Sequence, residues 1–293
     1  MEIACYGDGS TGNTTEVVGV CDMGAPEMRD MASSDEYFVG TCTHVNESEE
    51  IDVCAEKRLA WLRHMQANGL RVKVAVLEGN PVGFIYAMPI EICPLGPLGH
   101  DLLAIPCLVA QNRVKGRGVG LALMNAAEKE ACIQKKKGLV VTAYFHDFWF
   151  MPAAFFQRNG FTPITRRNVV NSGRKEYLSE EALLWKVIDP SAQPPRFLAP
   201  NYEFEPVPGK VVVDLFWNTF CQTSNIEAQR VREVADEMAD KVALNEYCAD
   251  DRDLFSRCQI PRGIFINGKE IGWGYEAPKE KVRKAIVEEL RRV

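Results

Sequence analysis

The sequence lacks several features that would assign it to a specialised class of protein. Its 293 residues contain no apolar run long enough for a membrane span, and residues 1–4 lack the charged and apolar regions of a secretory signal. Basic residues do not outnumber acidic ones. The formal net charge is −6, which gives no reason to expect nucleic acid or an anionic membrane as a partner. We therefore expect a cytoplasmic globular protein.

Cysteine pairs at the spacing of metal or redox sites are also missing. The chain has ten cysteines, but no Cys-x-x-Cys pair occurs, so the usual zinc-site spacing is absent and no metal site is predicted. A disulfide framework is not expected in a cytosolic chain of this length. Most of the thiols, including Cys107 and Cys132, are therefore predicted to be buried small apolar side chains.

What is present divides the chain into two α/β domains. Residues 1–188 form the first domain, although residues 1–35 show little periodicity and hold only one candidate strand, at 16–20. Six prolines between residues 189 and 209 predict a linker, because proline fixes φ and has no N–H donor. Residues 210–293 form the second domain, with the predicted order βαβαββα.

The most informative segment is a basic glycine loop in the first domain. It follows an apolar run at 102–110, which predicts one buried strand, and it leads into a helix. The loop consists of Lys115, Gly116, Arg117, Gly118, Val119 and Gly120. Glycine lets the backbone approach a ligand closely, and a helix start offers unpaired N–H groups and the positive end of the helix dipole. This segment predicts a binding site for a phosphate group.

The loop resembles the Arg/Gln-x-x-Gly-x-Gly/Ala motif of the GNAT acyltransferase superfamily, with Lys115 in the first position. A register that begins at Arg113 also matches. Residues 152–161 resemble a helix-turn-strand tract that comes later in the same superfamily, and two motifs in the right order are a stronger signal than one. The resemblance covers about residues 36–188 and implies the GNAT fold, a mixed, mostly antiparallel sheet flanked by helices. It also implies acetyl-CoA as co-substrate and a small-molecule or peptide amine as acceptor.

The resemblance implies a cofactor site as well. The loop at 115–120 would hold the CoA pyrophosphate, and the strand before it would lie beside the pantetheine arm and present backbone groups to the thioester carbonyl. The strand residues concerned are Leu108, Val109 and Ala110. Two further side chains, Phe155 and Phe156, would line the same site.

The catalytic residues are less complete in this sequence than the cofactor loop. Phe156 stands where the superfamily often has the tyrosine that protonates the leaving thiolate, so the usual general acid is missing. Tyr144, His146 and Asp147, near the end of a predicted strand at 139–144, are the candidate replacements. For each of these residues a structural role is favoured over a catalytic one, and for His146 that role is a position in a surface loop. A protein that binds acyl-CoA without catalysis therefore stays an alternative.

The second domain resembles a thioredoxin fold. Cys221 would lie at the helix start that follows the first strand, where the positive end of the helix dipole lowers the pKa of a thiol. Ser224 occupies the position of the usual second cysteine, which leaves Cys248 and Cys258 as candidate resolving thiols. The likeness also implies a cis peptide bond before Pro261. Thiol redox or carrier chemistry and an inert cysteine in a borrowed fold are both open.

The order of the two domains is similar to that of the YoaP-like group of N-acetyltransferases. This likeness favours acetyl transfer to an amine over thiol-redox work with an accessory acyl-CoA-binding domain. Neither the acceptor nor the oligomeric state is specified by the sequence.

Overall fold

The computed structural model describes residues 24–145, 150–168, 180–272 and 276–292. It contains two sheets, one of eight strands and one of four, each flanked by helices, so the predicted α/β class is confirmed. Within these ranges, no helix has the length and hydropathy needed to cross a lipid bilayer.

The described residues of the N-terminal part, 24–145, 150–168 and 180–188, carry the larger sheet and four α-helices. The strands are β1 (Glu27–Asp30), β2 (Arg71–Leu77), β3 (Asn80–Pro89), β4 (Leu102–Ala104), β5 (Leu108–Ala110), β6 (Gly138–Tyr144), β7 (Thr162–Asn168) and β8 (Glu180–Val187). The helices are α1 (Glu36–Gly40), α2 (Glu49–Gln66), α3 (Val119–Ile133) and α4 (Ala153–Arg158).

The strand order in this sheet is β1-β2-β3-β4-β6-β8-β7, with β5 paired to β3. Only β4 and β6 run parallel, so the sheet is mixed and mostly antiparallel, as predicted. Alternate side chains of a strand face opposite sides of a sheet. Ala75 and Leu77 accordingly belong to the apolar cluster of α3 and α4, whereas Val72, Val74 and Val76 belong to that of α1 and α2.

Two predictions about the strands of this part were wrong. The run at 102–110 is not one strand, because β4 and β5 are separated at residues 105–107, where Pro106 has no N–H to donate. Residues 24–35, predicted to be without pattern, contain β1, whose four residues pair antiparallel with β2 at the sheet edge. The candidate strand at 16–20 lies outside the described residues.

The C-terminal part, residues 210–292, carries the smaller sheet. Its elements are β9 (Val211–Trp217), α5 (Gln222–Asp236), β10 (Val242–Cys248), α6 (Arg252–Cys258), β11 (Gly263–Ile266), β12 (Lys269–Glu270) and α7 (Lys279–Leu290). The predicted order βαβαββα is confirmed. The strand order is β10-β9-β11-β12, in which β9 and β10 are parallel and β11 is antiparallel to β9.

Cys221 is the N-cap residue of α5, the helix-start position predicted for it. Asn218 organises this turn, because its Oδ1 accepts from the Cys221 N–H at 2.8 Å and its own N–H donates to Ser224 Oγ at 2.9 Å. The expected cis bond before Pro261 is wrong, since among the described residues only Gly96–Pro97 is cis. The carbonyl of Pro261 instead accepts from the Asn218 side-chain amide at 2.9 Å.

The proline-rich segment at 189–209 has no helix or strand, but it is bonded to both parts. Arg196 exchanges backbone hydrogen bonds with Leu98, at 3.0 and 2.8 Å. Asn201 donates its N–H to the carbonyl of Cys258 at 2.8 Å. The segment is therefore attached along the surfaces that it crosses.

Candidate functional site

Strands β4 and β6 begin as parallel neighbours, and then a gap opens between β5 and β6. Pairing runs from Leu102 opposite Gly138 to Ala104 opposite Val140, and the Ile105 N–H still donates to the Val140 carbonyl at 2.9 Å. Past that point β5 pairs only with β3 among the strands that the structure describes. The gap therefore has its apex near residue 105.

The backbone of β5 presents polar groups to this gap. The Cys107 carbonyl accepts from the Tyr86 N–H at 3.1 Å, and the Gln111 N–H donates to the Val82 carbonyl at 2.9 Å. Successive residues of an antiparallel strand direct their backbone groups to opposite sides. The N–H and C=O groups of Leu108 and Ala110 therefore point away from β3 and toward β6, where an extended ligand could bind them.

Directly after β5, the chain forms the start of α3. A 3-10 turn at Asn112–Val114 leads to Gly118, the N-cap residue, which has no side chain with which to cap the helix. The first bond of the helical ladder runs from the Ala122 N–H to the Gly118 carbonyl at 2.9 Å. The N–H groups of residues 119–121 consequently have no acceptor within the helix. Such a helix start favours an anion.

The loop glycines leave the space above this helix start open. Gly116 and Gly118 have φ values of 80° and 72°, in the left-handed region that favours glycine. A Cβ atom on either residue would meet no heavy atom within 4 Å. At Gly83 on β3, by contrast, a Cβ atom would lie 2.7 Å from the Val109 carbonyl oxygen. Packing within the protein therefore does not require glycine at these two positions. The two glycines instead leave the loop backbone accessible to a ligand.

Arg117 supplies an unsatisfied cation at the same place. Its side chain is half-buried, and its Nη2 atom is inaccessible to solvent without any hydrogen-bond partner. The only other such side-chain atom among the described residues is Nε1 of Trp217. A buried donor left without an acceptor costs about 1–3 kcal/mol. An anionic oxygen that reaches this nitrogen would remove that cost, so the residues present fit a phosphate ligand such as the pyrophosphate of CoA.

Phe155 and Phe156 lie on α4 inside the apolar cluster that α3 shares with the sheet. Phe156 is 1% exposed and packs edge-on against Phe155 and Phe161, with ring centroids 5.2 and 5.6 Å apart. A phenyl ring has no hydroxyl, so it cannot protonate a thiolate. Contact between these two rings and a cofactor stays a prediction.

Of the candidate acids and bases, only Tyr144 is among the described residues. It is the last residue of β6, the strand that diverges from β5. Its N–H donates to the Met151 carbonyl at 3.0 Å, and its half-buried ring lies 5.9 Å from that of Phe150. His146 and Asp147 lie outside the described residues.

Comparisons with known proteins give structural likenesses but no match at the level of sequence families. No family model matches the chain, and no curated protein matches it. A ribosomal-protein-alanine N-acetyltransferase from Brucella melitensis is 17% identical over 55% of this chain and 99% of its own, with a TM-score of 0.43. A candidate acetyltransferase from Salmonella typhimurium, solved with acetyl-CoA, is 19% identical over 58% of this chain and 98% of its own, with a TM-score of 0.44. An aminoglycoside 6'-acetyltransferase of type Ii is 16% identical over 56% and 98%, with a TM-score of 0.42.

The cysteines differ more in environment than the sequence suggests. Cys54 and Cys93 are buried, but Cys132, predicted to be buried, is exposed. Leu123, Ala127 and Ala131 face the sheet at helical spacing, so the residue after Ala131 is turned away from it. The prediction of burial was therefore wrong for Cys132, and it was also wrong for Cys107, which is half-buried.

The two candidate resolving thiols are poorly suited to attack a disulfide. Burial raises the pKa of the Cys248 thiol to about 12 and also raises the pKa of Cys258. A thiol in its neutral form is a weak nucleophile.

A separate groove of about 390 Å³ lies between α3 and β1. Three of its charged side chains are paired with one another, because Lys73 Nζ lies 2.7 Å from Asp30 and 2.8 Å from Glu130. No cluster of three or more His, Cys, Asp or Glu side chains that could hold a metal ion occurs in the described ranges. The loop at 115–120 and the gap between β5 and β6 are therefore the arrangement with the clearest chemical use.

Proposed function

We propose that this protein is an acyl-CoA-dependent N-acyltransferase that transfers an acetyl group from acetyl-CoA to an amine. The proposal rests on the structure of the loop at 115–120. It combines an uncapped helix start, two open glycines and the buried, unpartnered Nη2 of Arg117 at the end of a strand that has separated from its neighbour. Strand, loop and helix occur in the order that the GNAT-like motif implies.

The residues of this site support a division of labour within it. Arg117 and the N–H groups at the start of α3 would bind the phosphates, and the backbone of β5 would hold the extended pantetheine arm in the gap. The thioester supplies an activated acyl group. A backbone N–H of Leu108 or Ala110 would stabilise the oxyanion that forms when the amine attacks, which is a large term in acyl transfer.

Proton transfer would depend on a residue other than Phe156. Tyr144 is the candidate for this role that lies among the described residues. It is the last residue of β6, and its hydroxyl can donate a proton. An amine delivered neutral needs mainly positioning and an oxyanion donor, so transfer does not require the missing tyrosine. The division into two domains, the cytoplasmic location and the thioredoxin-like character of the C-terminal part stay predictions.

The alternative function is thiol redox or carrier chemistry at Cys221, with a non-catalytic acyl-CoA site. Gln222 to Ala228 are all buried, and α5 packs against α2 of the N-terminal part. A protein disulfide could not approach this helix start without displacing those contacts. This burial favours the acyltransferase.

The test compares Arg117→Met with Arg113→Met. Arg113 is exposed and its Nε donates to Gln111 at 2.7 Å, so it is a matched cation from the alternative motif register. We expect Arg117→Met to weaken acetyl-CoA binding by about 10–100-fold, the value of one charge-assisted hydrogen bond, and Arg113→Met to change it by less than about three-fold. Binding is measured by calorimetric titration, and turnover by release of the CoA thiol with a panel of amines. Wild-type protein that does not bind acetyl-CoA would overturn the proposal.

A further inference from the structure

Gly83, in strand β3, is packed so closely that a methyl group would not fit there. It pairs with Ala110 of β5 in the antiparallel ladder. A Cβ atom on Gly83 would lie 2.7 Å from the Val109 carbonyl oxygen and 3.2 Å from the Ala110 Cα atom. Non-bonded carbon atoms pack at about 3.5–4.0 Å, so the backbone of β5 would have to move. The φ of Gly83 lies outside the left-handed region, so this position needs glycine for space and not for its backbone conformation.

Gly83 also lies against the first residue of α3. A Cβ atom on it would come 3.2 Å from Cγ1 of Val119, a fully buried side chain that belongs to the loop at 115–120. One position on β3 therefore contacts both the strand and the helix start that the proposed function assigns to acetyl-CoA. The contact with the backbone of β5 is the shorter of the two, so we expect β5 to move further than the helix.

A displaced β5 would move toward the gap. The Cys107 carbonyl and the Gln111 N–H both bond to β3, and by alternation the Val109 carbonyl also points toward β3. A Cβ atom on Gly83 would push this carbonyl, and the strand with it, away from β3. On its other side β5 pairs with no strand among those that the structure describes, so no ladder hydrogen bond opposes the movement.

We infer that Gly83 is a positioning residue for acetyl-CoA. Because it has no side chain, β5 lies close to β3, and the gap between β5 and β6 stays wide enough for the extended arm of the cofactor. The inference rests on the proposed acyl transfer. A displaced β5 would misalign the backbone groups of Leu108 and Ala110 with that arm, and hydrogen bonds weaken steeply when their geometry is lost. Contacts of the phosphates with the start of α3 would change less.

Gly138 offers a matched control in the same sheet. A Cβ atom on Gly138 would lie 2.7 Å from the Lys186 carbonyl oxygen, which is the same contact with a backbone oxygen. Gly138 is the first residue of β6 and lies opposite Leu102, where β4 and β6 are still paired. Alanine at either glycine should therefore lower stability by overpacking, but only Gly83→Ala acts on a strand that borders the gap.

The first test compares the acetyl-CoA affinities of Gly83→Ala and Gly138→Ala by calorimetric titration. We expect the dissociation constant to rise by about ten-fold or more in Gly83→Ala, as the loss of one or two backbone hydrogen bonds implies, and by less than about three-fold in Gly138→Ala. Urea unfolding should show a similar fall in midpoint for the two variants. Equal acetyl-CoA affinity in both would overturn the inference. Failure of the wild-type protein to bind acetyl-CoA would instead overturn the proposed function.

A double variant covers the case in which Gly83→Ala alone does not fold. Val119→Ala removes the buried Cγ1 atom beside the new methyl group and leaves the contact with the Val109 carbonyl oxygen in place. Gly83→Ala combined with Val119→Ala should therefore lose about ten-fold in acetyl-CoA affinity relative to Val119→Ala alone. No loss in that comparison would contradict the role of Gly83.

The second test locates the loss within the site. Hydrogen exchange at saturating acetyl-CoA reports separately on the amides of β5 and on those at the start of α3. We expect acetyl-CoA to slow exchange at both places in the wild-type protein. In Gly83→Ala, protection should fall at Leu108 and Ala110 and persist at residues 119–121, whereas a fold that is only weakened would lose protection at both. Full protection of Leu108 and Ala110 in Gly83→Ala, or equal loss at the two places, would overturn the inference.

Discussion

Replacing Gly118 with alanine separates the role of the loop in binding from its role in folding. Gly118 has φ 72°, and a Cβ atom there would meet nothing within 4 Å, so the only cost in the free protein is a side chain in the left-handed region. That cost is about 1–2 kcal/mol of unfolding free energy. Gly79, in the turn between β2 and β3, has φ 77° and equally open space. Gly79→Ala should therefore lose the same stability, which makes it a matched control.

The two variants should differ only toward acetyl-CoA. A methyl group on Gly118 occupies the space through which a phosphate reaches the N–H groups at the start of α3. Loss of one such charge-assisted hydrogen bond is worth about 1.5–3 kcal/mol, or about 10–150-fold in the dissociation constant. Urea unfolding gives the stabilities and calorimetric titration gives the affinities. Equal acetyl-CoA affinity in the two variants would show that the phosphate does not bind over Gly118, and the argument from the open glycines would fail.

Three further predictions concern the buried side chain of Phe220, the buried thiol of Cys93 and proton transfer by Tyr144. Phe220→Ala should cost about 3–5 kcal/mol in urea unfolding, whereas Phe204→Ala, at a side chain that is 37% exposed, should cost less than about 1 kcal/mol. Burial raises the pKa of the Cys93 thiol from 9.0 to about 11, so its contribution to stability is complete below pH 9 and is lost as the pH rises through 11. As the pH rises from below 9 to above 11, the free energy of unfolding should therefore fall by about 3 kcal/mol less in Cys93→Ala than in the wild type. Tyr144→Phe should lower kcat by about 100-fold or more with acetyl-CoA affinity unchanged if Tyr144 is the general acid; an unchanged kcat in steady-state kinetics would exclude that role.

The sequence was informative where local pattern and local chemistry coincide. The glycine loop at 115–120 and the helix that follows it could be predicted because glycine, a basic residue and a helix-forming run are adjacent along the chain. The break between β4 and β5 could have been predicted as well, since Pro106 cannot donate to a strand ladder and lies in the middle of the apolar run. The strand β1 could not, because its four residues, Glu27–Asp30, are only partly buried at the sheet edge and show no alternation of apolar and polar residues.

The contact between Arg58 and Phe220, which joins the N-terminal and C-terminal parts, could not be predicted from local sequence pattern. Arg58 and Phe220 are 162 residues apart, and nothing near either residue indicates the other. The first residues of α5, Gln222 to Asn225, are polar and would be assigned to a surface, yet all are buried. Their burial comes from tertiary contacts, which periodicity within one helix cannot report.

The surroundings of Cys221 bear on the redox role that the predicted likeness to thioredoxin implies for this thiol. A thiol that exchanges with protein disulfides needs an exposed helix start and a second thiol that can resolve the mixed disulfide. Here the residue before Cys221 is buried in the N-terminal part, Ser224 replaces the second cysteine, and the pKa of Cys248 and Cys258 is raised by burial. These contacts count against a redox role for Cys221 and leave the proposed acyl transfer as the function that the described residues support better.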